Sequence, residues 1–201
     1  MIRAGIRDIG IVIQPQFRDE FEKTIQEEKF DAHITLIDQP DALGMAYAVL
    51  AAREFVKNRV CLVLAGDSVN NFDFTQALTR FESGANIFAR RESDPTIQRA
   101  SGVVEIDDAG KVIKITEKPD IPASDLLQIA GGIYDETLFE RIGGLSPSPR
   151  GEYEITGVNN SYLQNSALTC TDMGGTYYNN ITFPADVDAA SEYVRTHPGE
   201  F

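Results

Sequence analysis

The run Leu62-Val63-Leu64-Ala65-Gly66-Asp67 decides the fold class, because it is an uninterrupted apolar stretch that ends in a glycine and a carboxylate. Continuous apolar runs of roughly four to eight residues are typical of strands that are buried on both faces. Residues 9–13 form a second such run, rich in β-branched side chains. A carboxylate directly after a buried strand lies at the sheet edge where open α/β folds bind ligands.

Helical and extended patterns alternate outward from these two runs. The helical patterns cover residues 17–28, 42–56, 74–82, 136–142, 152–164 and 184–195. The further strand patterns cover residues 33–37, 85–89, 128–134, 168–173 and 176–179, with a hairpin formed by 102–106 and 112–116. The alternation predicts an α/β fold with a doubly wound, mainly parallel, Rossmann-like sheet, to which the hairpin adds an antiparallel pair.

The composition predicts one domain over residues 1–201 and argues against two classes of partner. Hydrophobic residues make up 42% of the chain, enough for a core. With 31 acidic and 18 basic side chains the net charge is −13, which repels nucleic acid and anionic lipid surfaces. The two cysteines make no disulfide framework, and apolar runs are too short to span a membrane, so we expect a cytoplasmic protein. The scarcity of lysine fits equally a protein that works in concentrated salt and an ordinary acidic protein.

Two motifs carry charged side chains at strand ends. Asp67 suits Mg²⁺, which takes one or two protein carboxylates together with substrate phosphates, although it would equally cap the following turn. Glu117 and Lys118 end the second hairpin strand, where glutamate can accept sugar hydroxyls and lysine can hold a phosphate. Charged pairs at such a position are more often solvated.

Two further motifs lie in loops that precede helices. Gln39, followed five residues later by Gly44, offers a donor and an acceptor to a nucleobase edge, or forms an ordinary turn. Arg150 precedes an acidic helix start, where it can contact an anionic ligand or remain a loop cation.

In their order and spacing these motifs resemble those of the sugar-1-phosphate nucleotidyltransferases, above all the glucose-1-phosphate thymidylyltransferases and their uridylyl relatives. The resemblance runs from Ile2 to Val194 and rests on residues 4–9, 39–44, 66–67, 102–105, 117–119, 149–156 and 179–186. It implies a nucleotidyltransferase, glycosyltransferase-A-like fold. It also implies an enzyme that uses Mg²⁺ to join a nucleoside triphosphate and a sugar 1-phosphate into a dTDP- or UDP-glucose type product and pyrophosphate.

The resemblance assigns metal and phosphate roles to four positions. It makes Asp67 and Asn180 the magnesium ligands, although an asparagine stands where the family has its second aspartate. It gives the sugar phosphate to Lys118, with Arg150 as a further cation nearby. Because the amide of Asn180 supplies no charge, we expect a weaker metal site.

The resemblance assigns sugar and base contacts to five positions. It implies a sugar pocket lined by Gly102, Glu117 and Gly131. It implies nucleobase contacts at Gln39 and Gly44.

The start of the chain departs from the family pattern. The family opens with a strand, a Gly-rich phosphate loop and a helix, and no such loop precedes Ile9 here. Residues 1–4, followed by Gly5, have the pattern of the last turn of a helix. We therefore expect a domain without its first strand, phosphate loop and most of its first helix, and little or no turnover.

Two other interpretations stay open at this point. The chain is either such an enzyme or a natural short homologue that binds nucleotide sugars or sugar phosphates, or partners a full-length enzyme, without catalysis. An unrelated nucleotide-binding α/β protein is the third interpretation. Self-association into a homo-oligomer is not decided by the sequence.

Overall fold

Strands and helices alternate along residues 1–39 and 41–200, which are the residues that the computed structural model describes. The strands are β1 (Asp8–Ile13), β2 (His33–Asp38), β3 (Cys61–Leu64), β4 (Ser68–Asn70), β5 (Ala85–Arg91), β6 (Gly102–Ile106), β7 (Val112–Glu117), β8 (Leu126–Tyr134), β9 (Leu168–Asp172) and β10 (Tyr178–Asn180). The helices are α1 (Arg18–Glu27), α2 (Met45–Ala51), α3 (Arg53–Val56), α4 (Thr75–Arg80), α5 (Pro95–Arg99), α6 (Leu138–Gly143), α7 (Ile155–Gln164) and α8 (Pro184–Thr196). The order confirms the predicted α/β class.

The main sheet is mixed, so the prediction of a mainly parallel sheet was wrong. Its strand order is β7-β6-β8-β5-β9, and β3 also pairs with β8. Strands β5 and β9 are parallel, whereas β8 is antiparallel to β3, β5 and β6, and the predicted hairpin of β6 and β7 is antiparallel as expected. A strand that is buried on both faces has a continuous apolar sequence. That sequence does not indicate whether the neighbouring strand is parallel or antiparallel.

The sheet divides at strand β8, because two different strands pair with successive parts of one of its edges; this point is called the fork. Strand β5 follows one edge of β8 along its whole length. On the other edge, β6 pairs at Leu127 and β3 pairs at residues 131–134, so these two strands diverge. The register of β5 against β8 shifts between Ile87 and Ala89, which is a bulge at the level of the fork. Bulges of this kind are frequent next to binding sites.

Two apolar clusters cover the two faces of the sheet. One lies under helices α2, α6 and α7 and includes Tyr134 and Tyr162, both fully buried. The other lies under α4 and contains the packed rings of Phe74 and Phe88, whose centroids are 5.0 Å apart. Strand β3 contributes alternate residues to both clusters. Burial of side chains on both faces is typical of a central strand, although among the described residues β3 pairs with β8 alone.

Strands β1 and β2 form a separate parallel pair. Strands β1 and β3 line the same cleft, and among the described residues no strand pairs with the cleft side of either. A single 3₁₀ turn, Ile2–Ala4, precedes β1 and ends at Gly5, whose φ of 84° is the left-handed conformation predicted for it.

Helix boundaries differ from the sequence prediction where tertiary packing intervenes. The helix predicted over residues 42–56 is divided into α2 and α3. Strand β4 and helix α5 had no strong periodic signal because each is five residues or shorter. Throughout the described residues, every helix is too short or too polar to traverse a bilayer.

Candidate active-site cleft

A cleft of about 1860 Å³ lies at the fork of the sheet. Its floor is the segment 127–130 of β8, and its walls come from β1, from the end of β3, from β6 and from the end of β7. Five of the nine residues predicted as site residues line it, namely Asp67, Gly102, Glu117, Lys118 and Asn180. Ligand sites of this size and composition are typically formed at such discontinuities of a sheet.

Asp67 and Asn180 are brought together by two short strands. Asp67 is exposed in the turn between β3 and β4. Strand β4 pairs antiparallel with β10, so that Asn180 lies opposite Ser68, and the Ile181 N–H donates to the Asp67 carbonyl over 2.6 Å. The two residues are 113 positions apart in sequence yet neighbours at the cleft rim.

The donor set at this rim fits a hard cation. Asp67 supplies a carboxylate and Asn180 an amide oxygen, because the amide nitrogen of Asn180 donates to Thr182 over 3.3 Å. Mg²⁺ is usually held by one or two protein oxygens and completes its shell with water and substrate phosphate oxygens. Asp67 and Asn180 would therefore hold Mg²⁺, whereas the described residues contain no cluster of three His, Cys, Asp or Glu side chains that could cage a metal.

Lys118 has a strained backbone at the opposite wall. Its φ is 43°, in the left-handed region that disfavours residues with a Cβ, and the following residue is Pro119. Its N–H donates to the Ser101 carbonyl over 3.0 Å, which fixes this conformation at the end of β7. Strain of this kind is frequent where a chain must aim a functional side chain.

Lys118 also differs from the other cations of the cleft in its charge environment. Three arginines of the wall are each held by a carboxylate: Arg7 by Asp31 at 3.1 Å, Arg59 by Asp8 at 3.6 Å and Arg90 by Glu92 at 2.8 Å. In the described part of the chain, Lys118 is the one side-chain cation of this cleft with no ion pair. Its ammonium group is thus available to an anionic ligand.

Glu117 is the end point of a buried chain of polar side chains that the sequence analysis missed. The chain consists of Tyr134, Asn159, Gln128 and Thr156, and the Thr156 hydroxyl donates to Glu117 Oε2 over 2.5 Å. A signal was present in the sequence, since Gln128 interrupts the apolar strand Leu-Leu-Gln-Ile-Ala. A polar residue inside a buried strand needs hydrogen-bond partners and therefore indicates a network.

Gln39 and Gly44 lie outside the lining of the cleft, and Pro40 between them lies outside the described residues. The Gln39 amide nitrogen donates to the Asp41 carbonyl over 2.8 Å. Gly44 has a φ of 102°, and a Cβ there would lie 2.7 Å from the Tyr153 carbonyl oxygen. The glycine thus allows this loop to approach the backbone of residue 153 closely.

Gly131 and Arg150 also lie outside the lining of the cleft. Gly131 is buried in β8, where a Cβ would lie 2.3 Å from the Val63 carbonyl oxygen of β3. Arg150 forms ion pairs with Glu154 at 2.5 Å and Glu152 at 3.2 Å. The hydrogen bond to Glu154 raises the pKa of the Arg150 guanidinium.

The cleft contains a cysteine that its surroundings keep unreactive. Cys61 lines the wall, and burial raises the pKa of its thiol to about 11. The thiol is therefore neutral at pH 7 and a poor nucleophile. The charged groups of the site, rather than this thiol, carry the chemistry that the cleft can perform.

Comparison with known proteins gives consistent matches. A family model described as nucleotidyl transferase matches residues 1–181. A glucose-1-phosphate thymidylyltransferase of Xanthomonas campestris pv. campestris is 35% identical over 182 residues, which cover 88% of this chain and 61% of that protein. An enzyme of the same name from Mycolicibacterium smegmatis is 33% identical over 202 residues, covering 98% of this chain and 69% of that protein.

The solved structures agree with these sequence matches. The crystal structure of a candidate glucose-1-phosphate thymidylyltransferase from Bacillus anthracis, in complex with sucrose, superimposes with a TM-score of 0.84 at 29% identity. The superposition covers 96% of this chain and 78% of that one. The chain spans about three fifths of the length of the first curated relatives that it matches.

Proposed function

The chain belongs to the nucleotidyl transferase family of enzymes, and from this membership we propose that its cleft binds a nucleoside triphosphate and a sugar 1-phosphate. The proposed reaction yields a nucleoside diphosphate sugar, of the dTDP- or UDP-glucose type, and pyrophosphate. The names of the 33–35% identical relatives support a glucose 1-phosphate substrate. The activity is proposed for the protein as a whole.

One observation carries the proposal. A lysine without an ion pair among the described residues, an exposed aspartate and a half-buried glutamate converge on one cleft from two strand ends, those of β7 and β3. Lys118 suits the phosphate of the sugar, Asp67 suits a cation that bridges phosphates, and Glu117 suits hydroxyl groups. A sugar phosphate and a metal-bound nucleotide together present these three chemistries.

The proposed catalysis consists of positioning and charge neutralisation. Lys118 would hold the sugar phosphate so that one of its oxygens attacks the α-phosphorus of the nucleotide in line with the departing pyrophosphate. Bound at Asp67 and Asn180, Mg²⁺ would neutralise phosphate charge. Glu117, with Gly102 beside it, would orient the sugar ring through its hydroxyls.

The remaining predicted roles are proposals with weaker support. Gln39 and Gly44 would contact the nucleobase and Gly131 the sugar pocket, although these three lie outside the cleft lining. Arg150 would contribute charge only after release from Glu154, with which it forms a 2.5 Å ion pair.

Binding without turnover is the second candidate function. Its support is the neutralisation of Arg7, Arg59 and Arg90 by carboxylates, since a triphosphate needs several free cations or backbone N–H groups. In this case the protein binds a sugar phosphate or a nucleotide sugar at Lys118 and releases no pyrophosphate.

Calorimetric titration and a pyrophosphate-release assay together test the proposal. Glucose 1-phosphate, dTTP and UTP are each titrated into the protein with Mg²⁺, and pyrophosphate is measured with both substrates present. We expect Lys118→Ala to weaken glucose 1-phosphate binding by roughly ten- to a hundredfold, the usual worth of a charged hydrogen bond. Asp67→Asn should weaken the Mg²⁺-dependent part of nucleotide binding.

The matched control is Lys29→Ala, which removes the same charge from an exposed position outside the cleft lining. This variant should bind both ligands as the wild type does. Pyrophosphate release would contradict the second candidate function. Absence of binding to either ligand by the wild type would refute both.

A further inference from the structure

The hydrogen-bond chain that ends at Glu117 has a single direction. The Tyr134 hydroxyl donates to Asn159 Oδ1 over 2.9 Å, and Asn159 Nδ2 donates to Gln128 Oε1 over 2.9 Å. Gln128 Nε2 donates to the Thr156 hydroxyl oxygen. The Thr156 hydroxyl has one hydrogen, which it donates to Glu117 Oε2 over 2.5 Å.

Neither side-chain amide in this hydrogen-bond chain can rotate by a half-turn without losing a hydrogen bond. Asn159 and Gln128 each use their carbonyl oxygen and their nitrogen in successive bonds, so rotating Gln128 would oppose two amide nitrogens and rotating Asn159 would oppose two carbonyl oxygens. Asn159 and Thr156 are only 1% and 3% exposed, so no water replaces a broken bond easily. A buried polar group that loses its hydrogen-bond partner destabilises the fold. The chain is therefore rigid.

Gly102 makes room for this chain at the cleft wall. A Cβ at Gly102 would lie 2.3 Å from Gln128 Nε2 and 2.8 Å from Gln128 Cδ. Gly102 also stands opposite Glu117 in the β6–β7 ladder. The Gln128 side chain thus occupies the space between the ladder and α7, from which it reaches Thr156.

The chain leaves one carboxylate oxygen of Glu117 to a ligand. Oε2 accepts from Thr156, whereas Oε1 has no donor among the described residues. An ionised carboxylate accepts hydrogen bonds and donates none, so Oε1 favours a hydroxyl or amino group of a ligand. The geometry therefore suits a ligand that donates a hydrogen bond at this point of the cleft.

We propose that Thr156, with Gln128 behind it, is a positioning residue that holds Glu117 Oε1 toward the ligand and thereby makes binding depend on one sugar hydroxyl. This inference rests on the proposed function, because the hydroxyl is that of a sugar phosphate in the cleft. It assigns part of the discrimination between sugars to Thr156, which lies behind Glu117 and outside the cleft lining. Such a site rejects an analogue without the hydroxyl because the carboxylate oxygen then loses its partner.

The test compares glucose 1-phosphate with its 2-deoxy and 3-deoxy analogues by calorimetric titration. The wild type should bind at least one analogue about tenfold more weakly than glucose 1-phosphate. In Thr156→Val, which keeps the side-chain volume, we expect weaker binding of glucose 1-phosphate and a discrimination ratio within about twofold of unity. Thr156→Ser, which restores the hydroxyl, should restore the ratio. Where turnover is measurable, Thr156→Val should raise KM for the sugar phosphate more than it lowers kcat.

Two controls separate positioning from a purely structural role. Thr171→Val removes a comparable hydroxyl, which donates to Asn86 over 3.0 Å on β9, and should leave the discrimination ratio unchanged. If Thr156→Val folds poorly, Gln128→Met is used instead, since it removes the donor to Thr156 and keeps a similar side-chain volume. This variant should also lower the discrimination ratio.

The outcomes distinguish this inference from the proposed function. Wild-type binding of glucose 1-phosphate with an unchanged ratio in a folded Thr156→Val overturns the inference and leaves the proposed function standing. Loss of the ratio with recovery in Thr156→Ser supports it. A wild type that binds no sugar phosphate overturns both.

Discussion

At the scale of single residues, Lys118 shows how this chain combines strain with function. A left-handed backbone conformation costs an L-residue about 1–2 kcal/mol, and the cost persists only where the surroundings enforce it. Here the enforcing contact is the hydrogen bond from the Lys118 N–H to Ser101, next to a proline that restricts the chain further. Lys118 forms no ion pair with the described residues, so its strained conformation gains no stability from a salt bridge. A role in ligand binding explains this conformation better.

Asp135 has the opposite role, because its carboxylate stabilises the fold away from the cleft. It accepts the Gly84 N–H over 2.7 Å and the Tyr162 hydroxyl over 2.9 Å. Burial alone would raise the pKa of Asp135, but the hydrogen bonds from Thr137, Gly84 and Tyr162 outweigh it and hold the pKa below its usual value. Because the folded-state pKa is the lower one, ionised Asp135 contributes stability above the unfolded-state pKa of about 3.9.

Asp135→Asn should therefore lower the free energy of unfolding by about 1–3 kcal/mol at pH 7. The difference from the wild type should shrink as the pH falls from 4 through the folded-state pKa, where the wild-type carboxyl is protonated as well. Urea unfolding at a series of pH values measures both effects. Asp108→Asn, at an exposed position of the hairpin turn, is the control and should change stability little. A difference that stays constant down to pH 3 would contradict the assignment to ionised Asp135.

At the scale of elements, the fork at β8 explains several features together. Gly131 permits the backbone of β3 to approach β8, since a Cβ there would meet the Val63 carbonyl. The bulge between β5 and β8 lies at the same level. Beyond the fork, β3 and β6 diverge, and the cleft fills the space between them. The site therefore exists because two strands share one edge of a third.

Strand β3 has one edge paired and one edge open in the described structure, which predicts a pattern of amide exchange. The Ala65 N–H donates to the Ala130 carbonyl over 2.9 Å, so the antiparallel alternation directs the amides of Cys61 and Val63 to β8. The amides of Leu62 and Leu64 then face the cleft. We expect these two to exchange with deuterium at least about tenfold faster than those of Cys61 and Val63.

Hydrogen exchange followed by NMR measures this pattern residue by residue. The amides of residues 85–87 of β5, which pair with both β8 and β9, serve as the internal control and should exchange slowly. Equal protection of all four β3 amides would show that another segment pairs with the open edge. Unpaired edges are where additional strands bind most readily.

At the scale of the whole molecule, acidic side chains outnumber the basic side chains that could pair with them. The net charge is −13, and the ion pairs such as Arg7–Asp31 and Lys23–Glu27 are exposed. Exposed pairs contribute little to stability, typically below about 1 kcal/mol. Self-repulsion between the unpaired acidic side chains is thus the larger electrostatic effect on the folded state.

Salt should consequently stabilise the protein. We expect Tm to rise by a few degrees between low salt and about 1 M KCl, since screening removes more repulsion than attraction at this net charge. Calorimetric scans at a series of KCl concentrations measure the effect, with sucrose at matched osmolality as a control for non-ionic stabilisation. A Tm that falls with added salt would show that the ion pairs outweigh the repulsion. It would also argue against adaptation to concentrated salt.

Local structure was the part of this protein that the amino-acid sequence determined by itself. The hairpin of β6 and β7, the left-handed Gly5 and the strands β1 and β3 were all predictable, because each depends on neighbours a few residues away. The expected burial of β1 and β3 was wrong, since all of β3 and most of β1 are only partly buried. The same holds for Asp67, which follows an apolar strand, and for Glu117 and Lys118 at the end of a hairpin strand. Each of these three residues is recognisable as a candidate site residue from its local sequence alone.

Tertiary structure alone decided the direction of strand pairing and the composition of the cleft. An apolar run has the same pattern in parallel and antiparallel sheets, so the mixed sheet was not foreseeable. Glu117 and Thr156 are 39 residues apart, and their hydrogen bond exists because α7 packs on β7 and β8. Arg150 was predicted beside a ligand, but Glu154 on the same loop holds it. Pairing and packing depend on which distant segments meet, and no local pattern encodes that.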